Sequence, residues 1–136
     1  MKTSFQLYST GITFESPFRS ADSGAEVIFE GIVRSPNKGK QILYLEFEAY
    51  ESLFMNEMKR IATSLHEKYD LHALVLHHRI GRVLPGECAV IAAVYAAHRD
   101  HAFIACAELM NELKKSAPIW KKEFHEDGSH WVSATP

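Results

Sequence analysis

The sequence predicts an α+β fold, and three observations lead there. Two long segments carry a helical period, several short ones alternate or run apolar as strands do, and strands follow one another in hairpin-like succession. Regular alternation of strand and helix would instead announce a doubly wound parallel sheet. At 136 residues the chain is about one domain long, read here as 1–136. The surface scaling laws give ~7,000 Å² folded against ~22,000 Å² unfolded for such a chain, enough burial for one core without disulfides or a structural metal.

In chain order, Phe5 to Tyr8 alternates as a short strand. Glu15 to Asp22 predicts a short helix, with Ser16 as N-cap and Pro17 at the first helical position. Ala25 to Val33 is rich in branched and aromatic residues and reads as a strand. Arg34 to Lys40 is a loop marked by Pro36, Asn37 and Gly39. Gln41 to Tyr50 alternates, with Leu43, Leu45 and Phe47 on one side and Tyr44, Glu46 and Glu48 on the other. From Glu51 to Tyr69 the period changes: Phe54, Met58, Ile61, Leu65 and Tyr69 line one helical face. Leu74 to His78 is a strand that runs on into Arg79–Val83, and a turn at Pro85-Gly86 leads to the apolar strand Cys88–Ala96. Asp100 is the expected N-cap of a second helix, His101 to about Lys115, with Phe103, Cys106, Met110 and Leu113 inward. Pro118 stops it. Ile119 to Val132 predicts a hairpin turning at Glu126-Asp127-Gly128.

Composition narrows the function classes. A 46% hydrophobic and 24% charged chain is that of an ordinary globular protein, not a disordered one. No apolar run reaches the ~20 residues of a membrane helix, and the start, Met1 to Phe5, lacks the apolar stretch of a secretory leader, so no membrane is expected and the cytoplasm is the expected compartment. Cys88 and Cys106 are far apart and read as reduced thiols. A net charge of −2 gives no bulk attraction to nucleic acid. Anion binding must therefore come from a local cluster.

One such cluster is Lys114-Lys115-Ser116-Ala117-Pro118-Ile119-Trp120-Lys121-Lys122-Glu123. Lysines at a helix C-terminus favour the dipole, and that alone accounts for them in many proteins. The sharper reading is that the break at Pro118 folds Lys114 and Lys121 toward one pocket walled by Trp120. Lysines held close and partly desolvated have lowered pKa values and serve as acid, base or nucleophile. His98-Arg99, ahead of a helix N-terminus, offers a second anion site. Asp100 competes for the same N–H groups. Arg34 completes a cationic set suited to a small phosphorylated anion. Eight histidines invite a metal reading, but His77 and His78 face opposite ways on a strand, and neither HExxH nor a Cys/His quartet is present, so no metal site is expected.

The order of the motifs carries more. Gly31-Ile32-Val33-Arg34…Asn37…Gly39, Leu45-Glu46-Phe47-Glu48-Ala49-Tyr50, His78-Arg79-Ile80-Gly81…Gly86-Glu87, Ala97-His98-Arg99…Ala102-Phe103 and Leu113-Lys114…Pro118-Ile119-Trp120-Lys121-Lys122-Glu123…Gly128…Trp131-Val132 together resemble the large, catalytic subunits of molybdopterin synthase, the MoaE family, from about Gly24 to Val132. The resemblance implies an α/β-hammerhead-like domain with an additional antiparallel sheet. It implies a homodimer, and a heterotetramer with a small ubiquitin-like sulfur-carrier subunit. It also implies a sulfurtransferase of molybdenum cofactor biosynthesis. That enzyme moves sulfur from the carrier's C-terminal thiocarboxylate to cyclic pyranopterin monophosphate (precursor Z), making the dithiolene of molybdopterin, with no cofactor or metal of its own.

By the same resemblance Lys114 and Lys121 are the catalytic pair. Ile32, Val33, Arg34, His98, Arg99, Met110, Lys122 and Glu123 join them in substrate binding. Some relatives carry a basic tail beyond the point where this chain stops, at Pro136. Two other classes stay open at this level: a non-catalytic module that binds a peptide C-terminus in the same cationic pocket, and a metal-dependent hydrolase built on the histidines.

Overall fold

The computed structural model describes residues 1–132. It has eight strands and two helices: β1 (Lys2–Tyr8), β2 (Ala25–Ile32), β3 (Ile42–Ala49), α1 (Glu51–Tyr69), β4 (Ala73–Arg79), β5 (Gly81–Val83), β6 (Cys88–Ala96), α2 (Arg99–Ser116), β7 (Ile119–His125) and β8 (Gly128–Trp131). They form two four-stranded sheets, in the orders β1-β4-β6-β2 and β5-β3-β7-β8. In the first sheet β1 runs parallel to β4 and the remaining pairs are antiparallel; the second is antiparallel throughout. The fold is α+β. No helix among the described residues is long and apolar enough to cross a membrane.

β4 and β6 are central and buried on both faces, which is why their sequences run apolar instead of alternating. Leu74, Leu76, Ala92 and Val94 join Phe54, Met58, Ile61 and Leu65 of α1 and Leu109 and Leu113 of α2 in the main core. On the opposite face Val75, Ala93 and Tyr95 form a second cluster, covered by Phe14 and Phe18.

That cover explains why the short helix expected over 15–22 is absent. Residues 15–22 form no helix: they make two turns, closed by Arg19 N–H to Ser16 C=O (3.3 Å) and Ser23 N–H to Ser20 C=O (3.4 Å). Ser16 sits at φ 52°, outside helical geometry. Seating two phenylalanines on the sheet, with Arg19 ion-paired to Glu26 at 2.5 Å, overrides a local Ser-Pro start signal.

Three smaller differences share one cause, packing that local pattern does not encode. A bulge between Ile42 and Tyr44 makes Ile42 the buried residue and leaves Leu43 50% exposed. In α2 the inward face is Ala102, Ala105, Cys106, Leu109 and Leu113, while Phe103 is 61% exposed. Ala102 and Ala105 occupy the inward face, and Phe103, one helical step from Ala102, falls on the outward one. α2 also begins earlier than expected. His98 is its N-cap, without a side-chain cap bond, and Asp100 lies within the first turn.

At Gly81, where φ is 80°, the chain leaves β4 and crosses to the second sheet, so β5 pairs with β3 and not with β6. β3 is therefore interior to its sheet over Leu45–Phe47. The apolar edge strand is β2, which presents Ile28, Phe29 and Ile32 to the outside.

Candidate active site

The two sheets and the C-terminal end of α2 meet around a cavity of about 380 Å³. Each wall follows from a local rule. On β3 and β7, directly paired residues share a face. Leu45 lies opposite Glu123 and Phe47 opposite Lys121, so these four turn inward together. On α2, Met110 and Lys114 are one turn apart and both line the cavity. Pro118 ends the helix after Ala117 caps it through an N–H bond to Leu113 C=O (3.0 Å), and β7 starts at Ile119. The break brings Lys114 and Lys121 to one cavity. β2 and the loop after it add Phe29, Gly31, Ile32, Val33, Arg34 and Asn37. Gly31 is needed there, because a Cβ would fall 2.6 Å from Val90 Cγ1 on the cavity wall.

The electrostatics are those of an anion site. Among the described residues Arg34, Lys114 and Lys121 form no ion pair with a carboxylate; the pairs present lie elsewhere on the surface. Burial is the main influence holding Lys121 below the usual lysine value. Glu123 pulls it back up, and the charges of Lys114 and Lys38 lower it further. Glu123 is itself buried and accepts a hydrogen bond from Asn37 Nδ2 at 3.0 Å, which ties the 34–40 loop across to β7. Lys38, in the left-handed region at φ 51°, is carried by that loop.

Seven of the ten residues expected from the sequence line this one cavity: Ile32, Val33, Arg34, Met110, Lys114, Lys121 and Glu123. Three do not. Lys122 points to the outer face of the second sheet, with its ammonium 5.2 Å from the Phe124 ring centroid and 5.3 Å from that of Trp131. Strand alternation separates it from its neighbours. His98 and Arg99 sit exposed at the start of α2, and the fifteen steps from Arg99 to Lys114 amount to about 22 Å of helix. Trp120 also faces outward, edge-on to Tyr50 at 5.4 Å, so it is no wall of this cavity. Among the described residues no three His, Cys, Asp or Glu side chains gather as metal ligands.

A family model described as MoaE protein matches residues 8–116. The chain belongs to the MoaE family. Its similarity to individual members runs nearly end to end. It is 37% identical to the molybdopterin synthase catalytic subunit of Nostoc sp. over 98% of this chain and 84% of that protein. It superposes on molybdopterin synthase from Staphylococcus aureus with a TM-score of 0.89 at 34% identity, covering 93% of this chain and 95% of that one. A complex of subunits 1 and 2 of molybdopterin-converting factor from Helicobacter pylori shares the fold, with a TM-score of 0.70 at 24% identity over 82% of this chain and 73% of that one.

Beside the expected MoaE-family residues the cavity holds others that the sequence did not assign to the site: Phe29, and Asn37, Phe47 and His78, which stood in the motifs without a role. His78 is 1% exposed, and burial pushes its pKa down to about 4, with the Lys121 charge adding to the shift. Strand alternation had already put His77 and His78 on opposite faces. Nothing local could say which face would border a cavity. The basic tail of some MoaE relatives would fall at Ser133–Pro136 and beyond, outside the described residues.

Proposed function

We propose that this chain is the catalytic subunit of a molybdopterin synthase. It would transfer sulfur from the C-terminal thiocarboxylate of a small ubiquitin-like carrier to cyclic pyranopterin monophosphate. The observation that carries the reading is the cavity itself, where Arg34, Lys114 and Lys121 converge over an apolar lining with one carboxylate, Glu123, beside Lys121, and where among the described residues none of the three cations forms an ion pair. Both reactants are anions that must shed water to meet, and fixed cations offset that cost. Its volume of about 380 Å³ suits a small ring system with a thin peptide tail beside it.

In this reading Lys121 polarises the reacting side chain of the pterin, and Lys114, at the mouth, steers the thiocarboxylate. Arg34 binds the phosphate. Ile32, Val33 and Met110 shape the apolar wall, and Glu123 orients Lys121. In each of the two transfers the carrier's sulfur replaces an oxygen on the pterin side chain and water then cleaves the thioester so formed, leaving the carrier a carboxylate; the displaced oxygen departs with the opened phosphate in one transfer and as water in the other. The sulfur arrives on the carrier, and no resident metal or cofactor is part of the proposal.

His98 and Arg99 fit the reading through a second copy of the chain. The edge strand β2 exposes Ile28, Phe29 and Ile32, and α2 exposes Phe103 and Ile104 close to His98. An apolar edge of this kind is normally covered. A homodimer across it would cover the patch and bring His98 and Arg99 of the partner subunit toward the phosphate, and each protomer would take one carrier to make a heterotetramer. The enzyme would act in the cytoplasm, where its thiols stay reduced. Reconstitution tests this: purified protein, thiocarboxylated carrier and precursor Z should yield molybdopterin, read by fluorescence of its oxidised derivative. A carrier lacking its last two glycines should donate nothing. Tail binding without turnover would leave only a peptide-binding module.

A further inference from the structure

His78 has no part in the chemistry above, yet it is the most buried polar side chain on the cavity wall. It lies on β4 on the same face as Leu74 and Leu76. Its Nδ1 is 2.7 Å from the carbonyl oxygen of Arg79. A carbonyl only accepts, so Nδ1 carries the hydrogen and Nε2 holds the lone pair. Phe47 packs edge-on to the ring, with centroids 5.0 Å apart and planes at 73°, which fixes its orientation. Among the described residues no hydrogen bond reaches Nε2, and it is not one of the fully enclosed unpaired atoms, so it opens on the cavity. An acceptor open there is available to a ligand that donates to it.

The other polar groups of the cavity divide the work differently. Arg34, Lys114 and Lys121 only donate, and Glu123 already accepts from Asn37. His78 adds an uncharged acceptor to the apolar wall, and Asn37, which gives its Nδ2 to Glu123, keeps another on the loop. A pterin is a flat heterocycle whose edge carries ring N–H groups and an exocyclic amino group as donors beside its carbonyl acceptor.

We propose that His78 is a substrate-recognition residue whose Nε2 accepts a hydrogen bond from an N–H group of the bound pterin. This rests on the function proposed above and adds to it the group that reads the ring, as distinct from the phosphate. Burial supports the assignment, because a ring with a pKa of about 4 is neutral at pH 7 and keeps its acceptor. The same value makes it a poor proton acceptor at that pH, which favours binding over proton transfer.

Two substitutions separate the nitrogens. His78→Asn keeps an amide N–H near Nδ1, able to hold the Arg79 carbonyl, and leaves nothing at Nε2. His78→Gln reaches the Nε2 position with an amide oxygen that can accept. In the reconstituted assay, with carrier saturating, His78→Asn should raise KM for precursor Z roughly tenfold with kcat little changed. His78→Gln should recover most of that loss. A folded His78→Asn with unchanged KM, equal losses in both variants, or a loss confined to kcat would overturn the proposal. A measurement on the unmutated protein stands in if the variants fail to fold. With ¹⁵N-labelled histidine, adding precursor Z should move the resonance of the unprotonated His78 nitrogen upfield, and no movement at saturation contradicts the idea. If the unmutated protein neither turns over nor binds precursor Z, the function itself fails. If it does both and His78 is indifferent, this inference alone fails.

Discussion

Replacing Lys121 by alanine removes one ammonium from the inner end of the cavity and very little else. Lys121 lies on β7 opposite Phe47, and its half-buried side chain leaves the main core untouched. Stability should therefore change by less than about 1 kcal/mol. The catalytic effect should be much larger. A unit charge ~4 Å from an anion, at an effective dielectric of ~20, is worth about 4 kcal/mol. Loss of one preorganised donor in an enclosed site costs roughly 10²–10³-fold in rate. Glu123 beside Lys121 cancels part of that field, so the lower end, roughly 10²-fold, is the expectation. The assay is steady-state molybdopterin formation with both substrates saturating, paired with thermal melting. Lys115→Ala is the control: its ammonium lies outside the cavity, 3.8 Å from Glu112 on the α2 surface, with the side chain 72% exposed. Its rate should stay within about twofold, since it is one helical step, or about 100°, from Lys114. Equal losses at Lys121 and Lys115 would rule out a positioned lysine, because the cluster would then act only as diffuse charge.

Further outcomes follow from the same geometry. Because burial and the charges of Lys114 and Lys38 lower the Lys121 pKa against the opposing pull of Glu123, its free amine should appear at lower pH than in an ordinary lysine. Acylation followed by mass spectrometry should show this, and Lys114→Ala should move the profile to higher pH. His78 is neutral in the fold down to pH about 4 but titrates near 6.5 when unfolded, so between those values the unfolded chain binds more protons and stability falls with acid, by about 3 kcal/mol in all. Lys121 on β7 is the charge facing it, and denaturant melts of His78→Asn should be flatter over that range. Light scattering at micromolar concentration should give a dimer that Phe103→Glu shifts toward monomer; a monomeric unmutated protein would count against the completed phosphate site.

The sequence carried the site where chemistry follows local geometry. Met110 and Lys114 share a helical face by spacing, Pro118 forces the break that returns Lys121, and Gly31 through Arg34 lead out of a strand into a punctuated loop. It could not carry what depends on three-dimensional neighbours. His98 and Arg99 precede the same helix that bears Lys114, and its predicted span already set them at the far end; what one dimension does not show is which surface they face there. Lys122 and Trp120 look equivalent to Lys121 in one dimension, but alternation on β7 turns them to the other face. Leu43 and Phe103 match an apolar pattern yet are exposed, one beside a bulge and the other because Ala102 and Ala105 take the inward face of α2. The Ser16-Pro17 helix start gave way to the seating of Phe14 and Phe18 on the sheet.

In the proposed reaction one cavity brings the carrier's sulfur to the pterin under the charges of Lys114 and Lys121. The most direct measurement follows both products in a single reaction: molybdopterin by fluorescence and carrier by intact mass. Two thiocarboxylates should become carboxylates for each molybdopterin made, and both signals should fall together by roughly 10²-fold in Lys121→Ala. Carrier conversion that proceeds without molybdopterin, or molybdopterin formation indifferent to Lys121, would contradict the account.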